Sequence, residues 1–114
     1  MRSFRTPESQ KAYNEIRANL PSGEPCALCS IQPIQQFENW KILPNAYPYD
    51  RIAERHEMIV PVRHVTEGEL SEVEREELLQ LKRTVIKDRC DYIIEATTQS
   101  IPHHFHLHLV TAKE

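Results

Sequence analysis

Near the end of the chain, His103-His104-Phe105-His106-Leu107-His108-Leu109-Val110 gathers four of the protein's six histidines into six residues. His104, His106 and His108 alternate with Phe105, Leu107 and Leu109, which is the period of a half-buried β-strand. Strand side chains point to opposite faces in turn, so the three histidines share one face and the apolar residues the other. Same-face neighbours lie about 6.5–7 Å apart. Polar strand faces ordinarily use Thr, Lys, Glu or Ser, so a row of imidazoles points to chemistry. Imidazole can be a nucleophile, an acid or base near neutral pH, or a metal ligand. By parity His103 belongs with Phe105 or just ahead of the strand, and it flanks the row.

Cys26-Ala27-Leu28-Cys29 is a second candidate. A C-x2-C on a tight turn can aim two thiolates at one tetrahedral ion, but alone it is half a site. A redox dithiol and a plain structural pair are the other readings.

These residues need elements to position them. Thr6-Pro7 reads as an N-cap followed by Pro at the first helical position, opening a short helix to about Asn19. Its narrow stripe of Ala12, Ile16 and Leu20 is expected to dock on a sheet. Phe37–Leu43 and Arg55–Pro61 read as strands joined by the turn-rich stretch from Pro44 to Asp50. The strongest helix runs from Leu70 to about Arg89, with Ser71-x-x-Glu74 as a capping box. Thr66 or Gly68 could also open that segment. Leu70, Val73, Leu78, Leu81 and Val85 are expected on its inner face. Leu79 and Ile86 are expected on the opposite side, covered by loops or by a partner subunit. Asp91–Thr97 reads as a strand that turns directly into the histidine strand as its antiparallel neighbour. Helices and strands do not alternate regularly, so the expectation is α+β: a mainly antiparallel sheet, an N-terminal helix and one longer helix. Cys90 at the helix end reads as packing.

Composition sets bounds. The 114 residues suit a single domain, 1–114. A net charge of −3 offers no broad basic surface for duplex nucleic acid. No apolar run reaches transmembrane length, and the N-terminal residues lack a signal-peptide core. The expected setting is the cytoplasm, away from membranes, where thiols stay reduced and three cysteines favour metal or packing over disulfides.

His104-Phe105-His106-Leu107-His108-Leu109-Val110 resembles the histidine triad (HIT) pattern, His-φ-His-φ-His-φ-φ with φ apolar. Asn45-x-x-Pro48 and His56-Glu57-Met58-Ile59-Val60-Pro61-Val62-Arg63-His64 are similar to the same family's N-x-x-P … G-H-x-L-V-x-P-x-x-H segment. The likeness spans roughly Cys26 to Val110. Two stretches differ from the family pattern: Glu54-Arg55 stands where a Gly often precedes His56, and Glu95–Thr98 replaces a Gly-rich run.

The resemblance implies a HIT-like fold and a nucleotide hydrolase or transferase. His106 would attack the α-phosphate of a nucleotidyl conjugate, a phosphoramidate or dinucleoside polyphosphate, and form a nucleotidyl-histidine intermediate. His108, or a backbone carbonyl, and Ser100 would support it; Thr98 and Gln99 would offer donors to the substrate, and Asn45 would meet the ribose. Zinc-bearing relatives imply a structural Zn²⁺ on Cys26, Cys29, His64 and His104, with His103 the alternative to His104. The family also implies a homodimer. Two other readings stay open: a zinc-stabilised nucleotide- or partner-binding module without significant turnover, and an open metal site with its own chemistry.

Overall fold

Antiparallel pairing organises the chain. Strands β1 (Gln35–Gln36), β2 (Trp40–Pro44), β3 (Ala53–Pro61), β4 (Tyr92–Ile94) and β5 (Leu107–Ala112) form a five-stranded sheet in the order β1-β2-β3-β5-β4. The computed structural model describes residues 3–18, 26–97 and 101–114. The class is α+β, and the two expected antiparallel partnerships, β2 with β3 and β4 with β5, are both present. β5 lies between β3 and β4, which makes the histidine strand an interior strand. Its ladder begins only at Leu107, so His104 and His106 stand on the approach to it. Phe105 N–H ties that approach to Val65 O at 2.8 Å.

Register assigns the faces. Met58 pairs with His108 and His56 with Val110, so His56, Met58 and His108 share one side of the sheet. Ile59 pairs with Leu107 and lies on the other. There Trp40, Ile42, Ile59, Phe105, Leu107 and Leu109 pack on Leu70, Leu78, Leu81 and Ile86 to make the main core. The buried Trp40 indole finds its acceptor at Glu74 O, 2.9 Å away. On the histidine side Leu28 covers Leu43, Met58 and Val60. Alternation predicts a half-open strand, but His104, His106 and His108 are only 0, 4 and 6% exposed. The second cover comes from α2 (Ala27–Ser30) and from the loop between β2 and β3.

Helix α3 (Glu72–Leu81) opens as its sequence requires. Ser71 Oγ accepts Glu74 N–H at 3.1 Å, and the Glu74 carboxylate accepts Ser71 N–H at 2.8 Å. The rod continues through a π-turn (Lys82–Ile86) into α4 (Lys87–Arg89). On an unbroken 3.6 period Ile86 would point roughly 110° away from the Leu78–Leu81 face. The extra residue of a π-turn rotates the next turn of helix back by about 100°. Ile86 is therefore a core residue, 2% exposed, and not part of an outer face with Leu79. Val73, expected inside, is 66% exposed, and Glu74 takes the inward position beside it.

Helix α1 (Pro7–Ala18) starts where Thr6-Pro7 places it, with Thr6 Oγ1 accepting Ser9 N–H at 3.4 Å. Its docking differs from expectation. Ala12 and Ile16 are exposed, and Leu20 lies outside the described residues. The helix is held instead by Asp50, which accepts from Thr6 N–H, Thr6 Oγ1 and Ser9 Oγ. Arg5 lies over the rings of Tyr13 and Tyr49 at 4.1 and 4.9 Å, while its Nε–H donates to Tyr47 O. Aromatic and guanidinium surface anchors a short helix better than a stripe of two small contacts.

Glu74 gives a test of this packing. Arg63 donates to its carboxylate at 2.6 and 3.0 Å, and these bonds, ahead of the opposing effect of burial, hold its pKa at about 2. A carboxyl depressed in the folded state adds stability above its unfolded pKa, and that stability is lost as pH falls through the folded value. Glu74→Gln should cost about 1–2 kcal/mol at neutral pH. Urea denaturation should show the gap closing as pH falls from about 4.5 toward about 2; a gap of constant size would contradict the assignment.

Candidate functional site

Cys26 stands at the N-cap of α2 and Cys29 within its single turn, where Cys29 N–H bonds Cys26 O at 3.0 Å and sets the two thiols side by side. His64, after β3, and His104, before β5, meet them. One donor atom from each of Cys26, Cys29, His64 and His104 lies within 4.8 Å of all the others. Cys26 Sγ–His104 Nδ1, Cys29 Sγ–His104 Nδ1 and Cys29 Sγ–His64 Nδ1 are each 3.4 Å. A tetrahedral ion with ordinary metal–sulfur and metal–nitrogen bonds would space sulfur and nitrogen ~3.5 Å apart. The four residues thus fit a metal ion.

Their chemistry fits as well. His104 Nε2–H donates to Pro61 O at 2.9 Å, which leaves the Nδ1 lone pair facing the thiols. Burial lowers the His104 pKa and keeps the ring neutral. Burial, and then the neighbouring Cys26 thiol, raise the Cys29 pKa. The Cys29 thiol therefore resists ionisation in the absence of a cation. His103 is exposed and outside this group, so His104 is the member.

Two residues on, His106 Nδ1 lies 3.0 Å from His104 O. A carbonyl only accepts, so Nδ1 carries a proton, and the neutral tautomer this bond selects has its lone pair on Nε2. The orienting group is the backbone carbonyl rather than His108. The His106 and His108 rings stand edge to face, 5.2 Å apart.

A chain of hydrogen bonds fixes His108. Tyr49 N–H donates to His56 Nδ1 at 2.9 Å, so His56 carries its proton on Nε2. That proton points at His108 Nδ1, 2.8 Å away. His108 in turn carries its proton on Nε2 and donates it to Tyr49 Oη at 3.1 Å. Burial, then Arg5, brings His56 down to about 4. Burial, followed by His56, His106 and Arg5, brings His108 down to about 3. Both rings are neutral at physiological pH.

Asn45 lies beside this pair. Its Oδ1 accepts Tyr47 N–H at 2.8 Å, the turn-forming role open to it from sequence. Its Nδ2 is 3.3 Å from His56 Nε2; both nitrogens are donors, so that amide makes no bond there. Thr98, Gln99 and Ser100 fall outside the described residues. In the sequence His56 matches a motif position without a role, and Tyr49 and Arg5 carry no signal. The register of β3 against β5 supplies the missing step, since it brings His56 within reach of His108. A groove of about 630 Å³ between Asn39 and α3 lies on the opposite face of the sheet from the histidines.

Metal analysis of the purified protein should find one ion per chain, retained in His106→Ala and lost when Cys26 and Cys29 are both replaced by Ser; loss in His106→Ala would contradict the four-residue assignment. The buried His56–His108 pair also predicts an acid response. Imidazoles depressed in the folded state contribute stability fully above ~6.5. That contribution is lost as pH falls toward about 4 and about 3. The wild type should lose stability to denaturant as pH falls from roughly 6.5 toward about 4, and a His56→Gln/His108→Gln variant should respond less steeply; identical slopes would remove the pair as the cause.

No family profile matches the sequence, and no curated protein matches it. Solved structures do match. Over 90% of this chain and 98% of the other, the fold superposes on a protein named "Hit Like Protein" with a TM-score of 0.55, at 13% sequence identity. The chain has a HIT-like fold.

Proposed function

We propose that the protein is a nucleotidyl hydrolase or transferase of the histidine-triad type. The observation that carries this reading is the His106 Nδ1–H bond to His104 O, which leaves Nε2 unprotonated and nucleophilic. His106 Nε2 attacks the α-phosphorus of a nucleotidyl conjugate, a phosphoramidate or dinucleoside polyphosphate. The bond from phosphorus to the leaving group breaks, and the leaving group departs with a proton drawn from solvent, which the later attack of water returns. Water or another acceptor then attacks the nucleotidyl-histidine, releases the nucleotide and returns His106. His108 offers Nε2–H to a phosphate oxygen. Ser100, Thr98 and Gln99 supply further donors, and Asn45 meets the sugar.

The ion is zinc in this reading, because a closed set of two sulfurs and two nitrogens suits it. Such a set is structural: it ties α2 to the approach of β5. Cys26, Cys29, His64 and His104 would hold it, and none of their side chains takes part in the phosphoryl step. We place the enzyme in the cytoplasm as a homodimer. Leu79 and Val73 are exposed on the outer surface of α3 and would meet the partner.

A binding module without significant turnover is the second reading. It is favoured by the near-complete burial of His106 and by the Tyr49 hydroxyl already seated on His108.

Rapid quench of the protein with an adenosine phosphoramidate, followed by mass spectrometry under mildly alkaline conditions, decides between them. A nucleotidyl mass gain in the wild type that is absent from His106→Ala is the expected result. Bound nucleotide with neither adduct nor product would replace the enzyme with the binding module.

A further inference from the structure

Tyr49 touches the catalytic histidines twice. Its main-chain N–H sets the tautomer of His56, and through it that of His108. Its phenol oxygen then takes the one proton that His108 has left to give. Its ring completes a triangle with the two imidazoles: its centroid is 4.4 Å from that of His56 and 4.8 Å from that of His108, which are 4.9 Å from each other. On its outer side Phe4 and Arg5 hold it, at 5.6 Å between ring centroids and 4.9 Å from guanidinium to ring. These contacts come from the N-terminal segment, outside the stretch that carries the triad resemblance.

The bond to Tyr49 Oη has a distinct chemical meaning. A buried imidazole N–H left without an acceptor costs free energy, so something must receive it. Burial raises the Tyr49 pKa, so its oxygen stays a neutral hydroxyl. A neutral phenol is a weaker acceptor than an anionic phosphate oxygen. A phosphate oxygen could displace it at that nitrogen, and the phenol would reclaim the nitrogen when phosphate leaves.

We infer that Tyr49 is a positioning residue for His108: its backbone N–H locks the ring, through His56, into the Nε2–H form, and its hydroxyl holds that proton in the place a substrate phosphate oxygen takes. The inference rests on the phosphoryl-transfer reading of this site. It separates the two handles, because Tyr49→Phe removes the hydroxyl and keeps the backbone N–H.

The test uses the full-length protein, its Phe variant and inorganic phosphate, read by long-range proton–nitrogen spectra of the histidine rings and by steady-state kinetics. Tyr49→Phe should leave His56 and His108 in their Nε2–H forms. Phosphate should shift the His108 Nε2–H signal in both proteins, and the variant should bind it about fivefold more tightly, the worth of one released neutral hydrogen bond. With an adenosine phosphoramidate, KM should fall by a similar factor while kcat changes less than about twofold. Unchanged or weaker phosphate binding in the variant overturns the inference, as does a His108 signal indifferent to phosphate in both proteins. The phosphate arm needs no turnover. A wild type that forms no His106 adduct yet shows the expected phosphate response would sink the enzyme reading and leave the Tyr49 assignment standing.

Discussion

One hydrogen bond, from His106 Nδ1 to the main-chain oxygen of His104, joins the two halves of the site. The same His104 sends its side chain to the thiols of Cys26 and Cys29 and its Nε2–H to Pro61 O. One residue therefore answers to the metal-fitting group through its ring and to His106 through its backbone. The ladder of β5 begins only at Leu107, so neighbouring strands do not pin this backbone by regular pairing. The contacts of the His104 ring and the Phe105–Val65 bond hold it instead. A structural ion at this place would stabilise a small domain and at the same time fix the carbonyl that selects which nitrogen of His106 keeps its lone pair.

The second half is a buried pair of neutral imidazoles. Burying polar rings is costly unless every nitrogen finds a partner, and here a backbone N–H, two imidazoles and a phenol close the chain. The arrangement admits one assignment of protons, because the backbone N–H at one end can only donate. The site therefore presents two ring nitrogens of opposite character. In the tautomers these bonds select, His106 Nε2 carries a lone pair and His108 Nε2 a proton, the combination that the proposed attack at phosphorus would use.

Much of this is legible in the sequence, and the reasons differ by element. Strict alternation from His104 to Leu109 names the chemical strand, and Ser71-x-x-Glu74 names the start of the long helix, because both signals act over a few residues. The four metal-fitting residues are readable only through family resemblance; spacing alone offers half a site. The π-turn is not readable, and so an unbroken helical period puts Ile86 on the wrong face. Cover over the histidine face escapes the sequence because it comes from distant segments, α2 with Leu28 and the loop with Tyr49, which lies 59 residues before His108. Alternation describes one strand's own two faces and says nothing about what a distant loop lays on top. The docking of α1 is hidden for a related reason: Asp50 and the Tyr13–Tyr47 contact hold it, and neither belongs to the helix's apolar stripe.

The most direct test of how the two halves are joined is the tautomer of His106 in the metal-loaded protein, read from long-range proton–nitrogen spectra and followed after chelation. The expected result is a ring protonated on Nδ1 with Nε2 bare while the ion is bound. This single form should give way to a mixture once the ion is removed and the His104 backbone is released. A His106 ring protonated on Nε2 in the loaded protein would contradict the mechanism, because the nitrogen assigned to attack would have no lone pair to give.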